Sequence, residues 1–144
     1  MVPKYRCWFK NSGIQAAHMV EWDRLKEFVG LGRLFDDSKK STLFSLMQST
    51  GLKDKNGVDI FEGDVLLHTS SSVNYSDTYW HSYVQVYRMD SGAYRIKGKH
   101  IYDTELMSAR NRLEVVGNIY QNQNLLDKEY FSTSDGIVEQ ADEN

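Results

Sequence analysis

One proline and one cysteine in 144 residues are the scarcest features of this chain. The single Cys7 excludes an internal disulfide and every two-cysteine metal pattern, so no oxidising compartment has left a mark and a reducing cytoplasm fits. With Pro3 alone to stiffen the backbone, turns must be made by glycine, asparagine and aspartate, which tolerate positive φ; that pattern predicts hairpins. No apolar run approaches the ~18 residues of a membrane span, and Met1 to Trp8 has neither an apolar stretch nor a small-residue cleavage site. Neither export nor membrane insertion is expected, and the Asn74-Tyr75-Ser76 glycosylation pattern reads as chance. Missing too are a glycine-rich phosphate loop, a nucleophile elbow and a two-histidine metal helix, which excludes the recognisable enzyme classes and points to a protein that is not an enzyme.

What is present is the composition of an ordinary globular domain: 40% apolar, 26% charged and 12% aromatic residues. A chain this long can bury roughly 68% of its unfolded surface, enough for one core without staples. A single domain over residues 1–126 is expected. The net charge of -3 is unevenly spread, since Asp127 to Asn144 holds six acids against Lys128, leaving the preceding residues at +2. Residues 127–144, with Ser132, Thr133, Ser134 and Gly136 among the acids, read as an acidic tail, flexible or docked on a partner.

Residues 4–20 read as a hairpin turning at Asn11-Ser12-Gly13, with Ile14 to Val20 as its returning strand. Trp22, Leu25, Phe28 and Val29 suit one face of a short helix. Asp36 to Ser41 is a polar loop, and Thr42 to Gln48 resumes a strand. The Asp54-Lys55-Asn56-Gly57 stretch fits a type I turn closed by a left-handed glycine, with Asp54 bonding the turn amides, and Glu62-Gly63-Asp64 a tight corner with Gly63 at positive φ. Strands follow at Val65 to His68, Tyr79 to Arg88 and Ala93 to Lys99. Asp103 to Arg112 reads as a helix with an acidic start and basic end, Leu113 to Tyr120 as a last strand, and Asn122 to Leu126 as a helical turn. The fold class is mainly β, or β-dominated α+β: a small bent sheet or open barrel with one or two short helices.

Two stretches carry a family resemblance: Leu46 to Gly57, continuing through Ile60-Phe61-Glu62-Gly63-Asp64, and Glu114-Val115-Val116-Gly117-Asn118-Ile119-Tyr120-Gln121-Asn122 with Leu125-Leu126. Together with the opening Lys4-Tyr5-Arg6-Cys7-Trp8, they resemble the YopX family of phage and prophage proteins. One departure is Gln123, where the family pattern has proline after the asparagine. The resemblance implies a mainly β protein with small helical additions that tends to self-associate, in the cytoplasm of a bacterial host. It brings no established activity, cofactor or catalytic residue. Asp54, Asn56, Gly57, Gly63, Asp64, Gly117 and Asn118 read as a structural turn motif.

Other clusters have plain structural readings. Asp54, Asp59, Glu62 and Asp64 are hard oxygen ligands, but Gly57 follows Asp54 by three positions rather than the spacing of a calcium loop, so no metal site is assigned. His18, His68, His81 and His100 are scattered without an i, i+4 pair, which suits surface or satisfied histidines. Cys7 reads as a buried, inert thiol. The candidate binding surface is the hairpin of Trp80, Tyr83, Tyr87, Arg95, Lys97 and Lys99, where cations interleave with aromatics as a single-stranded nucleic-acid groove requires. Half-exposed strands show the same pattern for plainer reasons. The functional expectation is a non-enzymatic accessory protein that self-assembles and binds a protein partner, with single-stranded nucleic-acid binding as the alternative.

Overall fold

A computed structural model describes residues 4–27, 32, 44–71, 77–133 and 136–142. The 36–41 loop, the helical positions Phe28 and Val29, and the Asn74 pattern lie outside these described residues. The chain forms two compact units, Met1–Gly51 and Leu52–Asn144.

In the first unit, β1 (Tyr5–Phe9) pairs antiparallel with β2 (His18–Val20) and with β3 (Phe44–Lys53), Cys7 standing opposite both Val20 and Leu46. The expected hairpin is present, but its second strand starts at His18 rather than Ile14. Residues 11–15 are taken up by the turn instead: the Gly13 amide donates to Asn11 Oδ1 at 2.9 Å, Gly13 has φ +83°, and Ile14 is 98% exposed. Helix α1 is a single turn, Trp22–Leu25. Cys7, Leu25 and Met47 are buried, and burial pushes the Cys7 thiol up to about 11 despite the backbone hydrogen bond to Ser45. A thiol that holds its proton so firmly is a poor nucleophile.

Strand β3 continues into the second unit, where a turn leads to β4 (Asp59–Phe61), with Lys53 Nζ 2.9 Å from Asp59 Oδ1. The larger sheet has β5 (Asp64–Ser71), β6 (Thr78–Arg88), β9 (Leu113–Asn118), β10 (Lys128–Thr133) and β11 (Gly136–Asp142) in the order β11-β10-β6-β5-β9. The short β7 (Tyr94–Lys97) pairs with β6 and with β8 (Thr104–Glu105). All of these pairings are antiparallel, and the sheet curls into a half-barrel. The fold is β-dominated, as the alternating patterns implied.

Alternation along β6 shows how the sheet is sided: Ser82, Val84 and Val86 are buried while Tyr83, Gln85 and Tyr87 are half-exposed. The inner face joins Leu66, Val84, Val86 and Ile96 to Ile60 and Leu113 in one cluster, closed by Leu106 and Ala109 of helix α2 (Leu106–Ala109). Each such fully buried aliphatic side chain contributes about 1.5–3 kcal/mol. The expected helix at 103–112 is therefore shorter. Its first residues pair as β8 and its last, Arg110–Arg112, tighten into a 3-10 turn.

The acidic tail holds strands. Lys128–Thr133 is a strand, with Glu129 opposite Ser82 and Phe131 opposite Trp80, and β11 adds to its far side. The acid count hid this strand. A tail can be anionic overall and still pair through its backbone, which is indifferent to side-chain charge.

Candidate functional site

The Asp54 turn is the frame on which the second unit's chemistry is placed. The amides of Asn56 and Val58 donate to Asp54 Oδ1 at 2.8 and 2.9 Å, and the Val115 amide donates to Oδ2 at 2.8 Å. Burial works against the charged carboxylate, but those three amides, with Lys55 alongside, outweigh it and hold Asp54 below its usual 3.8. Gly57 closes the turn at φ +82°, and Asn56 Nδ2 donates to Glu114 Oε1 at 3.0 Å. The Lys55 amide donates to the Leu113 carbonyl at 3.1 Å. The turn thus occupies outward backbone groups of β9 and sets Lys55 at the start of that strand.

The other signature residues are also backbone devices. Gly63, at φ +83°, donates its amide to the Val86 carbonyl and accepts from the Ile119 amide, both at 2.9 Å, while buried Asp64 accepts the Phe61 amide at 2.8 Å. At Gly117 a Cβ would lie 2.2 Å from Asn122 Oδ1, the atom that accepts the Asn118 amide at 3.2 Å. Asn118 Oδ1 accepts the amides of Tyr120 and Gln121 at 2.9 and 3.0 Å. Gln123 opens a 3-10 turn, Gln123–Asp127.

The hairpin surface is divided by the sheet. Tyr83, Tyr87, Arg95 and Lys97 share the outer face, with Tyr87 opposite Arg95 and Gln85 opposite Lys97. Trp80, in phase with Val84, belongs to the other face and donates its Nε1 hydrogen to Glu129 Oε2 at 2.8 Å. Lys99 lies beyond β7, which ends at Lys97, and pairs with Asp127. Arg95 Nε donates to Asp103 Oδ1 at 2.7 Å, and the Tyr87 hydroxyl donates to Oδ2 of the same carboxylate. Lys97 Nζ stands 4.8 Å from the centre of the Tyr87 ring. The hydrogen bonds from Tyr87 and Arg95 hold Asp103 below its usual value. Lys97, Lys99 and Asp127 line a cavity of about 580 Å³. Arg95 and Lys99 therefore already have carboxylate partners within the unit.

A second cavity, about 630 Å³, was not apparent in the sequence. Pairing of β5 with β9 ends at His68 opposite Leu113, so among the described residues the next positions of β5 pair with β6 alone. Lys55 and Arg112 enter this gap from the Asp54 turn and the 3-10 turn, and His68, Ser70 and Tyr79 complete its walls. His68 is 8% exposed and, among the described residues, its buried Nδ1 has no hydrogen-bond partner, nor does the hydroxyl of Ser82 opposite it. Burial, and secondarily Arg112, push the His68 pKa down.

Thr69, also in the wall, joins a polar chain: its hydroxyl is 2.9 Å from His81 Nδ1, and His81 Nε2 is 2.6 Å from the Ser132 hydroxyl. The His81 ring stacks on Tyr130 at 4.3 Å. Burial first and Lys55 second lower its pKa, which favours the neutral imidazole. Spacing gave no warning of either arrangement, because both depend on pairings between residues 12 and 51 positions apart.

Cys7, a free and buried thiol, belongs to the first unit. His100 Nδ1 lies 3.5 Å from Glu129 Oε2. Among the described residues no three of His, Cys, Asp and Glu gather as metal ligands, and no helix is long and apolar enough to cross a membrane.

Comparison with known proteins gives this architecture a context. The crystal structure of protein EF1440 from Enterococcus faecalis is similar, with a TM-score of 0.54 and 25% sequence identity over 88% of this chain and 99% of that one. Curated proteins give no match. The family model described as YopX protein matches residues 4–127, the span that holds the Asp54 turn, the Gly63 corner and the Gly117–Asn122 turn, and the chain belongs to that family.

Proposed function

We propose that this protein is a non-enzymatic binding protein that works by associating with a second copy of itself, as a phage- or prophage-encoded accessory factor in a bacterial cytoplasm. The observation that carries this reading is the unequal treatment of the two edges of the larger sheet. At β9 the outward backbone is occupied: the Leu113 carbonyl takes Lys55 and the Val115 amide gives to Asp54. At the opposite edge, β11 pairs with β10 alone among the described residues. An open antiparallel edge is a template for another strand. A second copy of the same strand suits it, since antiparallel pairing about a two-fold axis is self-complementary.

Light scattering on a sizing column, combined with amide exchange at two protein concentrations, tests this. The expected result is a dimer or larger species, with slower exchange over Gly136–Asp142 at the higher concentration. A strict 16.7 kDa monomer at about 100 µM, or exchange there independent of concentration, overturns it.

The alternative, single-stranded nucleic acid on the outer face of β6 and β7, draws support from the Lys97–Tyr87 contact, a cation held over an aromatic ring. Its cations Arg95 and Lys99 are engaged by Asp103 and Asp127. That is why self-association is preferred.

A further inference from the structure

We propose that the cavity between the end of β9 and the Thr69–Ser71 segment of β5 is a binding site for a small phosphate-bearing ligand of nucleotide size. The inference is independent of the β11 edge and rests on four features of the cavity itself.

The first is positive charge without an ion pair. Lys55 and Arg112 both line the cavity, and neither forms an ion pair among the described residues. Among the described residues, no aspartate or glutamate lines it. Two cations brought to one cavity repel each other, and an anion between them relieves that cost. The second is donor capacity. Ser70, Ser71 and Asn111 add hydroxyl and amide donors, and their side chains make no hydrogen bond among the described residues. On the side where β9 has ended, the backbone of β5 offers further polar groups. A phosphate, with three oxygens to satisfy, uses such a convergence of neutral and charged donors more fully than a carboxylate with two.

The third feature is preorganisation. Lys55 is carried on a turn held by four hydrogen bonds, from its own amide to Leu113 and from three amides to Asp54. Arg112 directly precedes Leu113, whose side chain is fully buried. Fixed backbones lower the ordering cost that binding must overcome. The fourth is size and shape. A volume of about 630 Å³ falls within the range of small-molecule sites. Tyr79, 38% exposed, offers a flat ring to a base. The two cations converge on one cavity rather than following a groove, which favours a nucleotide over a strand.

The test uses the full chain, with isothermal titration against adenosine 5′-monophosphate, adenosine, inorganic phosphate and a ten-residue oligothymidylate. Adenosine 5′-monophosphate is expected to bind saturably, inorganic phosphate to compete with it, and adenosine to bind at least about tenfold more weakly, the value of one charge-assisted contact. Lys55→Ala and Arg112→Ala should each weaken the monophosphate about tenfold, while Lys10→Ala should leave it unchanged. Both cavity side chains are exposed, so the variants should melt with the parent chain. Absence of a saturable signal up to about 10 mM monophosphate or phosphate would overturn the proposal. So would binding that survives the double variant, or an oligonucleotide that binds more tightly than the monophosphate through the same two residues.

Discussion

Two surfaces of the second unit carry cations, and they differ in where the compensating carboxylates lie. On the β6–β7 face, Asp103 takes both the Arg95 guanidinium and the Tyr87 hydroxyl, and Asp127 takes Lys99. At the end of β9, Lys55 and Arg112 share a cavity that no carboxylate among the described residues lines. The first surface has more positive residues in sequence, and the second has more that are free to bind something. What decides availability is the pairing made by the fold: Asp103 reaches Arg95 across eight residues, and Asp127 reaches Lys99 across 28. Counting cations in a stretch of sequence cannot separate the two cases.

The most disruptive test of this contrast is Asp54→Ala, which removes the acceptor of three backbone amides. Part of the lost bonding returns through water at the turn, but the Val115 amide is left facing a vacated, partly buried position. A loss of about 3 kcal/mol is expected, read as a fall in the urea midpoint with an unchanged slope. A change under about 1 kcal/mol would mean that the turn holds without its clamp and that Lys55 is not fixed by it. A smaller perturbation acts on the other surface. Asp103→Asn combined with Asp127→Asn leaves Arg95 and Lys99 without their carboxylates, and should convert the satisfied surface into an anion-attracting one. Anisotropy of a labelled oligothymidylate should report several-fold tighter binding at about 50 mM salt, with the gain lost near 200 mM. Equal binding by the variant and its parent at both salts would show that Asp103 and Asp127 are not what limits that face.

Much of the fold could be read from local signals, because strands with clear alternation and turns with asparagine, aspartate and glycine specify themselves nearby. The hairpin between β1 and β2, the Asp54 turn, β6 and β9 all belong to this group. Where the reading failed, distance in sequence was the reason. Strand β10 hides in an acidic tail, since what makes it a strand is the free edge of β6 more than 40 residues earlier. Trp80 looks like a partner for Tyr83 until the pleat, with the two residues three positions apart, puts them on opposite faces and sends Trp80 to Glu129. The cavity was the least visible feature: Lys55 reads as a turn residue, Arg112 as a helix end and His68 as one more scattered histidine. Only the point at which β9 stops pairing with β5 brings them together.

The gentlest probe of the comparison is the titration of the two histidines beside Lys55 and Arg112. His68 and His81 are both held below the ordinary 6.5, by burial first and then by Arg112 and Lys55 respectively. A depressed pKa means that the folded chain binds fewer protons than the unfolded one between the folded value and 6.5. Stability from these residues is therefore complete above 6.5 and is lost as the pH falls through the folded values. The melting temperature should drop on acidification across that window, and imidazole proton shifts should place both titrations below 6.5. In Lys55→Ala the His81 titration should rise, yet stay below 6.5, because burial is the larger cause; in Arg112→Ala the same holds for His68. Titration of either histidine at or above 6.5 in the parent chain would mean that the cations do not bear on it. The cavity would then lack the local positive potential that sets it apart from the β6–β7 face.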